Sequence, residues 1–263
     1  MNKRLLYLLT FIFLLSCEDN IPVRDNPLDD ESGDYVSPTI NLVTSISDGD
    51  TLFVESLLLE CEGNELVSEF RYKLDNFNWV EWSEDASVLL DYLDEGNHKF
   101  SAQSRYLNGD TSDIVKINFV VDAVSGPALM FYPRRHFAEQ NQSVTFSILA
   151  EEVTNLMASE IHLEYDPSKI QIMSVSQGEF FQNGQNSIFL YEINSELGLI
   201  QINTTLLDSE TPSVNGTGSI ANIEVELLQL ETTTLTFGEY GVFIDQNNND
   251  INILQKINGI IAQ

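Results

Sequence analysis

Ile161-His162-Leu163-Glu164-Tyr165-Asp166-Pro167 alternates apolar and polar side chains and then stops at a proline. Successive side chains of a β-strand point to opposite faces, so Ile161, Leu163 and Tyr165 are expected in a core and Glu160, His162 and Glu164 outside it. Proline has no N–H for the ladder and holds its predecessor extended, so the strand ends at Asp166-Pro167. The same period recurs on both sides of this stretch, in Val144, Phe146 and Ile148, in Ile200 and Ile202, and in Ile223, Val225 and Leu227. No run between 127 and 263 holds a helical period of useful length. Strand after strand with one apolar face predicts a β-sandwich, because each sheet must bury that face against another.

Toward the N-terminus the pattern changes at Val124-Ser125-Gly126-Pro127, which reads as a join. Residues 37–124 are again short alternating runs, broken by Asp48-Gly49-Asp50, Glu62-Gly63-Asn64, Glu95-Gly96-Asn97 and Asn108-Gly109-Asp110. Asn-Gly-Asp between Ser104-Arg105-Tyr106 and Ile114-Val115 predicts a hairpin turn. The stretch from Phe70 to Asp75, then Trp79 and Trp82, then Leu93 to Gln103 resembles immunoglobulin-like or fibronectin type III-like modules of bacterial surface proteins. Alternation places Trp79 and Trp82 on opposite faces, capping a core rather than forming a platform for sugar. The expected architecture is all-β, with two β-sandwich domains in tandem at 37–124 and 127–263.

The first 16 residues have a different character. Lys3 and Arg4 precede an apolar run from Leu5 to Leu15, and Leu14-Leu15-Ser16-Cys17 closes it. A bilayer-spanning helix needs about 20 apolar residues, so this shorter run is a signal-peptide core. Leu14 and Ser16 before Cys17 resemble a bacterial lipobox, which implies lipidation at Cys17 and membrane attachment through acyl chains. Glu18 and Asp19 follow at once and resemble a surface-export signal, so the expected location is the outer membrane, facing the cell surface. Residues 17–36 are acidic, hold Pro22, Pro27 and Gly33, and are expected to form a flexible tether.

The chain carries 12 Lys and Arg against 41 Asp and Glu, a net charge of −29; two of the basic residues and none of the acids precede Cys17, so the mature chain stands at −31. A surface so negative repels nucleic acid and anionic lipid. With Cys17 lipidated, only Cys61 remains, and among Leu57, Leu58 and Leu59 it is expected to be a small core residue.

Four segments of the second half occur in a telling order. Ile161 to Pro167 runs into Ile170-Gln171-Ile172 and Val175-Ser176-Gln177-Gly178-Glu179-Phe180; Leu199-Ile200-Gln201-Ile202-Asn203 follows, then Gly216-Thr217-Gly218-Ser219-Ile220-Ala221-Asn222-Ile223-Glu224-Val225. Gly241-Val242-Phe243-Ile244-Asp245 and Asn258-Gly259-Ile260-Ile261-Ala262 close the chain. In this order and spacing, residues from about Leu129 onward resemble a cohesin domain. The resemblance implies a nine-stranded, jelly-roll-like sandwich that docks a dockerin module through one sheet face, with calcium carried by the dockerin. It implies partner-binding positions at Glu160, His162 and Glu164 on one strand, at Gln201 and Asn203 with Thr205 on another, and at Asp208 at that strand's end. Ala158 departs from the asparagine that many family members have there.

Signs of chemistry are sparse. His98, His136 and His162 lie in separate segments, none in a metal-ligand or nucleophile motif, and no glycine-rich phosphate loop is present. Asp245-Gln246-Asn247-Asn248-Asn249-Asp250 has alternating oxygen side chains but lacks the glycine and distal glutamate of a calcium loop. The expectation is a non-catalytic interaction protein with no cofactor and no metal of its own, associated with polysaccharide binding or breakdown. The alternatives are a carbohydrate-binding module, for which Phe180, Phe181, Phe189 and Tyr191 are the candidate aromatics, or a structural envelope protein.

Overall fold

The structure is a computed structural model that describes residues 24–182, 186–207 and 212–262. Strands in the first half are β1 (Ile40–Thr44), β2 (Thr51–Leu52), β3 (Leu57–Gly63), β4 (Glu69–Leu74), β5 (Ser87–Leu90), β6 (Gly96–Arg105) and β7 (Val115–Val121). They form two sheets, β1-β3-β5 and β2-β7-β6-β4. Between the sheets lie Leu57, Leu59, Cys61, Phe100, Ala102, Ile117 and Phe119, all alternate residues of their strands. The turn from β6 to β7 is the expected one, with Gly109 at φ +96° and its N–H donated to the Tyr106 carbonyl.

Two expectations for this half need correction. Residues 76–82 are not strand, so alternation does not govern Trp79 and Trp82. Both rings instead flank Arg71, whose guanidinium carbon lies 4.7 Å from one ring centroid and 4.5 Å from the other, on the outer face of the sheet. Neither ring belongs to the core. Residues 24–36, the second part of the expected tether, lie against the first sandwich: Asn108 Nδ2 donates to the Leu28 carbonyl at 2.7 Å, and Tyr35 Oη to Asp110 Oδ2 at 3.1 Å.

The second half holds β8 (Ala128–Tyr132), β9 (Arg135–Phe137), β10 (Ser143–Tyr165), β11 (Ile170–Gln177), β12 (Ser187–Asn194), β13 (Leu199–Leu206), β14 (Val214–Leu227), β15 (Thr233–Asp245), β16 (Gln255–Ile257) and β17 (Gly259–Ala262). The 23-residue β10 organises them. Its first part pairs with β8 and β14, its second with β13 and β15. The change of partners falls at register shifts between Ile148 and Leu156, where Glu152 and Asn155 adopt positive φ of 49° and 56°. Bulges bend a strand and turn it between layers. One continuous strand thus serves both layers of the sandwich. Opposite the bulge, Gly216 has φ +94°, and a Cβ at Gly218 would stand 2.3 Å from the Phe180 ring. The two glycines of this motif therefore serve different needs, one conformational and one of space.

Pro133 interrupts β8 and β9, Asn258 interrupts β16 and β17, and β10 counts once in each layer, which yields the nine strands of the jelly-roll-like sandwich. The parallel pairings of β16 with β8 and of β17 with β9 close the second domain beside its own start. Phe131, Phe146, Phe181, Ile148, Leu156 and Leu163 fill the core, each at most 1% exposed. Full burial of such side chains contributes about 1.5–3 kcal/mol each.

Arg134 and Arg135, just after β8, reach the first domain. Arg134 Nη2 donates to Glu55 Oε2 at 2.5 Å, its backbone N–H to Asp94 Oδ1 at 2.6 Å and Nη1 to the Leu93 carbonyl at 3.3 Å; Arg135 pairs with Asp91. From the other side of the join, Glu95 accepts the N–H groups of Ala123 and Val124, and Glu152 accepts that of Gly126.

Candidate docking surface

One sheet face of the second domain is open. On β10, Ile161, Leu163 and Tyr165 are buried at 1%, 1% and 9%, which turns Glu160, His162 and Glu164 outward as the alternation predicts. On β13, Ile200 and Ile202 are buried, so Gln201, Asn203 and Thr205 face outward. The strands pair so that Glu160 lies opposite Asn203, His162 opposite Gln201 and Ala158 opposite Thr205. Five of the predicted positions thus share one surface with Thr205. Asp208 lies outside the described residues, as does Cys17.

Glu160 is the centre of this surface. Its Oε1 lies 2.6 Å from His162 Nε2 and accepts from Gln201 Nε2 at 3.1 Å. The carboxylate therefore holds a ring and an amide across two strands, while Glu160 and His162 remain about a third exposed at 37% and 36%.

Flanking strands complete the face with residues that no motif pointed to. Ile188 and Leu190 of β12 lie opposite Thr205 and Asn203, and Val242 and Ile244 of β15 lie opposite Glu160 and Ala158. Leu190 is 62% exposed, Val242 43% and Ile188 40%. A shallow depression of about 360 Å³ runs among Ala158, Glu160, Leu190, Asn203, Val242 and Ile244. A neighbouring one of about 380 Å³ lies among His162, Glu164, Glu192, Gln201, Glu239 and Tyr240, with Tyr240 78% exposed. The face is apolar at one end, acidic at the other, and bridged by the Glu160 cluster. The available signal was apolar alternation in both phases of β12, where Phe189 and Ile193 pack on the core while Ile188 and Leu190 do not.

The remaining candidates lie elsewhere. Phe180 and Phe181 are buried at 7% and 0%, Phe189 packs against the core, and Tyr191 is half exposed, so these four do not form an exposed aromatic row. The Asp245 carboxylate is engaged within its own turn: Oδ1 accepts the N–H groups of Asn247 and Asn249 at 2.7 and 2.8 Å, and Oδ2 accepts Asn249 Nδ2. His98 bonds Asp75 and the Asp94 carbonyl, and His136 the Thr145 carbonyl. Among the described residues no group of three His, Cys, Asp or Glu side chains is arranged to hold a metal ion.

The family model of the cohesin domain matches residues 137–261, the stretch from the end of β9 into β17. The second domain is a cohesin domain. Solved structures similar to the chain include a non-cellulosomal cohesin from the archaeon Archaeoglobus fulgidus, at 18% identity and a TM-score of 0.42, covering 51% of this chain and 88% of that one. A type II cohesin domain from the cellulosome of Acetivibrio cellulolyticus aligns at 17% identity and a TM-score of 0.45, covering 51% and 92%. A type I cohesin–dockerin complex from Clostridium thermocellum contains a chain that aligns at 15% identity and a TM-score of 0.45, covering 51% and 96%. No curated protein matches the chain. The docking face described above therefore belongs to the cohesin domain, and the first sandwich lies outside the matched region.

Proposed function

We propose that this chain is a non-catalytic receptor, anchored at the cell surface through a lipid on Cys17, whose cohesin domain captures a dockerin-type module on the face formed by β12, β13, β10 and β15. The observation that carries the reading is the exposed apolar end of that face, with Leu190, Ile188 and Val242 beside a fixed Glu160–His162–Gln201 cluster. Exposed apolar surface next to ordered polar groups is what a protein interface uses, the first for affinity and the second for register. The acidic end, with Glu164, Glu192 and Glu239, favours a partner that brings basic residues. In this reading the first sandwich is a spacer, calcium belongs to the partner, and any tie to polysaccharide breakdown comes through what the partner carries.

The test is capture by the mature chain from its organism's own lysate, in calcium and in chelator, beside a Leu190→Asp variant. The expected partner is recovered only with calcium and is lost with the variant. Recovery of nothing that depends on calcium would overturn the dockerin reading. Metabolic labelling with a fatty acid tests the anchor, and an unlabelled Cys17→Ser chain beside a labelled parent is the expected result.

A further inference from the structure

Ten Lys and Arg follow residue 16, and five of them, Arg71, Lys73, Lys99, Arg105 and Lys116, lie on β4, β6 and β7 of the first sandwich. They share one face. Phe70, Tyr72 and Leu74 pack on the core from β4, Phe100 and Ala102 from β6, and Ile117 and Phe119 from β7, so the alternate residues, all five cations among them, turn outward. A chain of net charge −29 thus gathers half of its mature cations on a single sheet.

The register fixes their arrangement. Lys73 pairs with Ser101 and Ser101 with Lys116, so the two ammonium-bearing residues flank a serine in one row, about 10 Å apart at two strand spacings. Lys99 sits two residues along β6, opposite Asn118. These three residues line a groove of about 640 Å³ with Ser101, Asn118 and Trp79. Sites for organic ligands commonly span about 300–1,000 Å³.

The carboxylates at this face are already engaged. Glu69 pairs with Arg105 at 2.5 Å; Asp75 bonds His98 at 2.8 Å and the Lys99 N–H at 2.7 Å; Asp48 accepts from Asn118. Among the described residues Lys73, Lys99 and Lys116 form no ion pair. Arg71, by contrast, is fixed: Gln103 Oε1 accepts from its Nη2 and Nε at 2.6 and 3.1 Å, and both tryptophan rings flank it. The face therefore has a rigid aromatic and guanidinium wall beside three ammonium groups that form no ion pair, of which Lys73 lies over the Trp79 ring, its Nζ 5.4 Å from the centroid.

We propose that this groove binds a carboxylated polysaccharide of the polyuronate kind. Spaced cations match a polymer with a carboxylate on every sugar, the exposed Asn118 beside them suits its hydroxyls, and Trp79 offers an edge to a ring. Lysine and serine are depleted at the cores of protein interfaces, which disfavours an acidic protein as the occupant. The site is independent of the docking face, which lies on the other domain.

Trp79 and Trp82 are the chain's two tryptophans and both border this face, so intrinsic fluorescence reads binding here. The mature chain is titrated with polygalacturonate, alginate, neutral dextran and poly-glutamate at low salt, beside a Lys73→Gln/Lys99→Gln/Lys116→Gln variant and the single Lys116→Glu. The expected result is a saturable change with the polyuronates that weakens as salt is added, is about tenfold weaker or more in both variants, and is absent with dextran. No response to either polyuronate, or one that both variants retain, would overturn the proposal. An equal response to poly-glutamate would overturn the choice of a glycan in favour of an acidic peptide.

Discussion

Arg134 Nη2 donates to Glu55 Oε2 at 2.5 Å, and this bond ties the start of the cohesin domain to the segment that leads into β3 of the first sandwich. The two partners differ in setting: the Arg134 side chain is 4% exposed and that of Glu55 52%. Removing the side chain strands the Leu93 carbonyl and takes the guanidinium charge from beside the partly buried Asp94, which keeps the bond from the backbone N–H, whereas Glu55 is able to hydrate. Arg134→Ala should therefore cost about 1–3 kcal/mol, less than the loss of one member of a fully buried pair. Thermal unfolding measures the cost, and limited proteolysis between residues 122 and 128 should become faster than in the parent.

Leu190 tests the docking face without a stability confound. It is exposed, so Leu190→Asp should leave unfolding within about 0.5 kcal/mol of the parent. A charge placed in the apolar end should nonetheless cost about 2 kcal/mol or more of partner affinity, as interface hot spots do. Titration calorimetry with the captured partner reads the second quantity, and unchanged affinity would remove the apolar end from the interface.

Much of this face is legible in the amino-acid sequence. The alternation around Ile161-His162-Leu163 sets the outward phase of Glu160, His162 and Glu164, because a strand offers only two faces. The turn at Asn108-Gly109-Asp110 and the stop at Pro167 are legible for the same local reason. What sits beside those strands is not. The pairing of Leu190 with Asn203 and of Val242 with Glu160 depends on register between residues 13 and 82 positions apart, which no local pattern encodes. The bend of β10 at Glu152 and Asn155 is also hidden, since a bulge leaves no strong mark in a β-rich sequence. Trp79 and Trp82 were misplaced because a period of two was applied to a segment that is not a strand.

His136 makes stability depend on pH. Burial holds its imidazole below the usual 6.5, opposed in part by the hydrogen bond to the Thr145 carbonyl and by Asp94. The unfolded chain thus takes up a proton first, so this contribution is complete above pH 6.5 and declines as pH falls toward the lower folded-state value. Asp94, Glu95 and Glu151, raised by burial, act in the opposite sense and gain on acidification. The difference between His136→Gln and the parent isolates the imidazole: the parent should lose stability relative to the variant on going below pH 6.5. Asp48, Glu69, Asp166 and Asp245, held low by hydrogen bonds, contribute above their ordinary values of 3.8 to 4.5 and lose that contribution at lower pH.

Gly198 is a position where one methyl group should be costly. Its φ is +67°, and a Cβ there would stand 2.0 Å from the carbonyl oxygen of Tyr165, the residue whose N–H bonds the Gly198 carbonyl at 2.8 Å. Gly198→Ala should destabilise the cohesin domain by about 2–4 kcal/mol through backbone strain and displacement of that corner. Denaturant unfolding measures it, and a loss below about 1 kcal/mol would mean that the turn relaxes freely.

Cys61 should be chemically silent. It is 4% exposed, and burial pushes its thiol up to about 11. A thiol-specific chromogenic reagent should find no reactive thiol in a folded Cys17→Ser chain at pH 8 and one in denaturant.

The bend of β10 also decides how tension passes through the molecule. A module held at Glu160 and His162 pulls on the second part of that strand, and the first part is bonded from Ser147 to Glu151 against β8, which leads directly back to the join at Pro127. The route from a load on the docking face to the N-terminal end of the chain is thus one covalent strand and one antiparallel ladder. The edge strands β11 and β12 stand aside from it. A partner tugged by its cargo would strain the longest strand of the domain, and the edges would be spared.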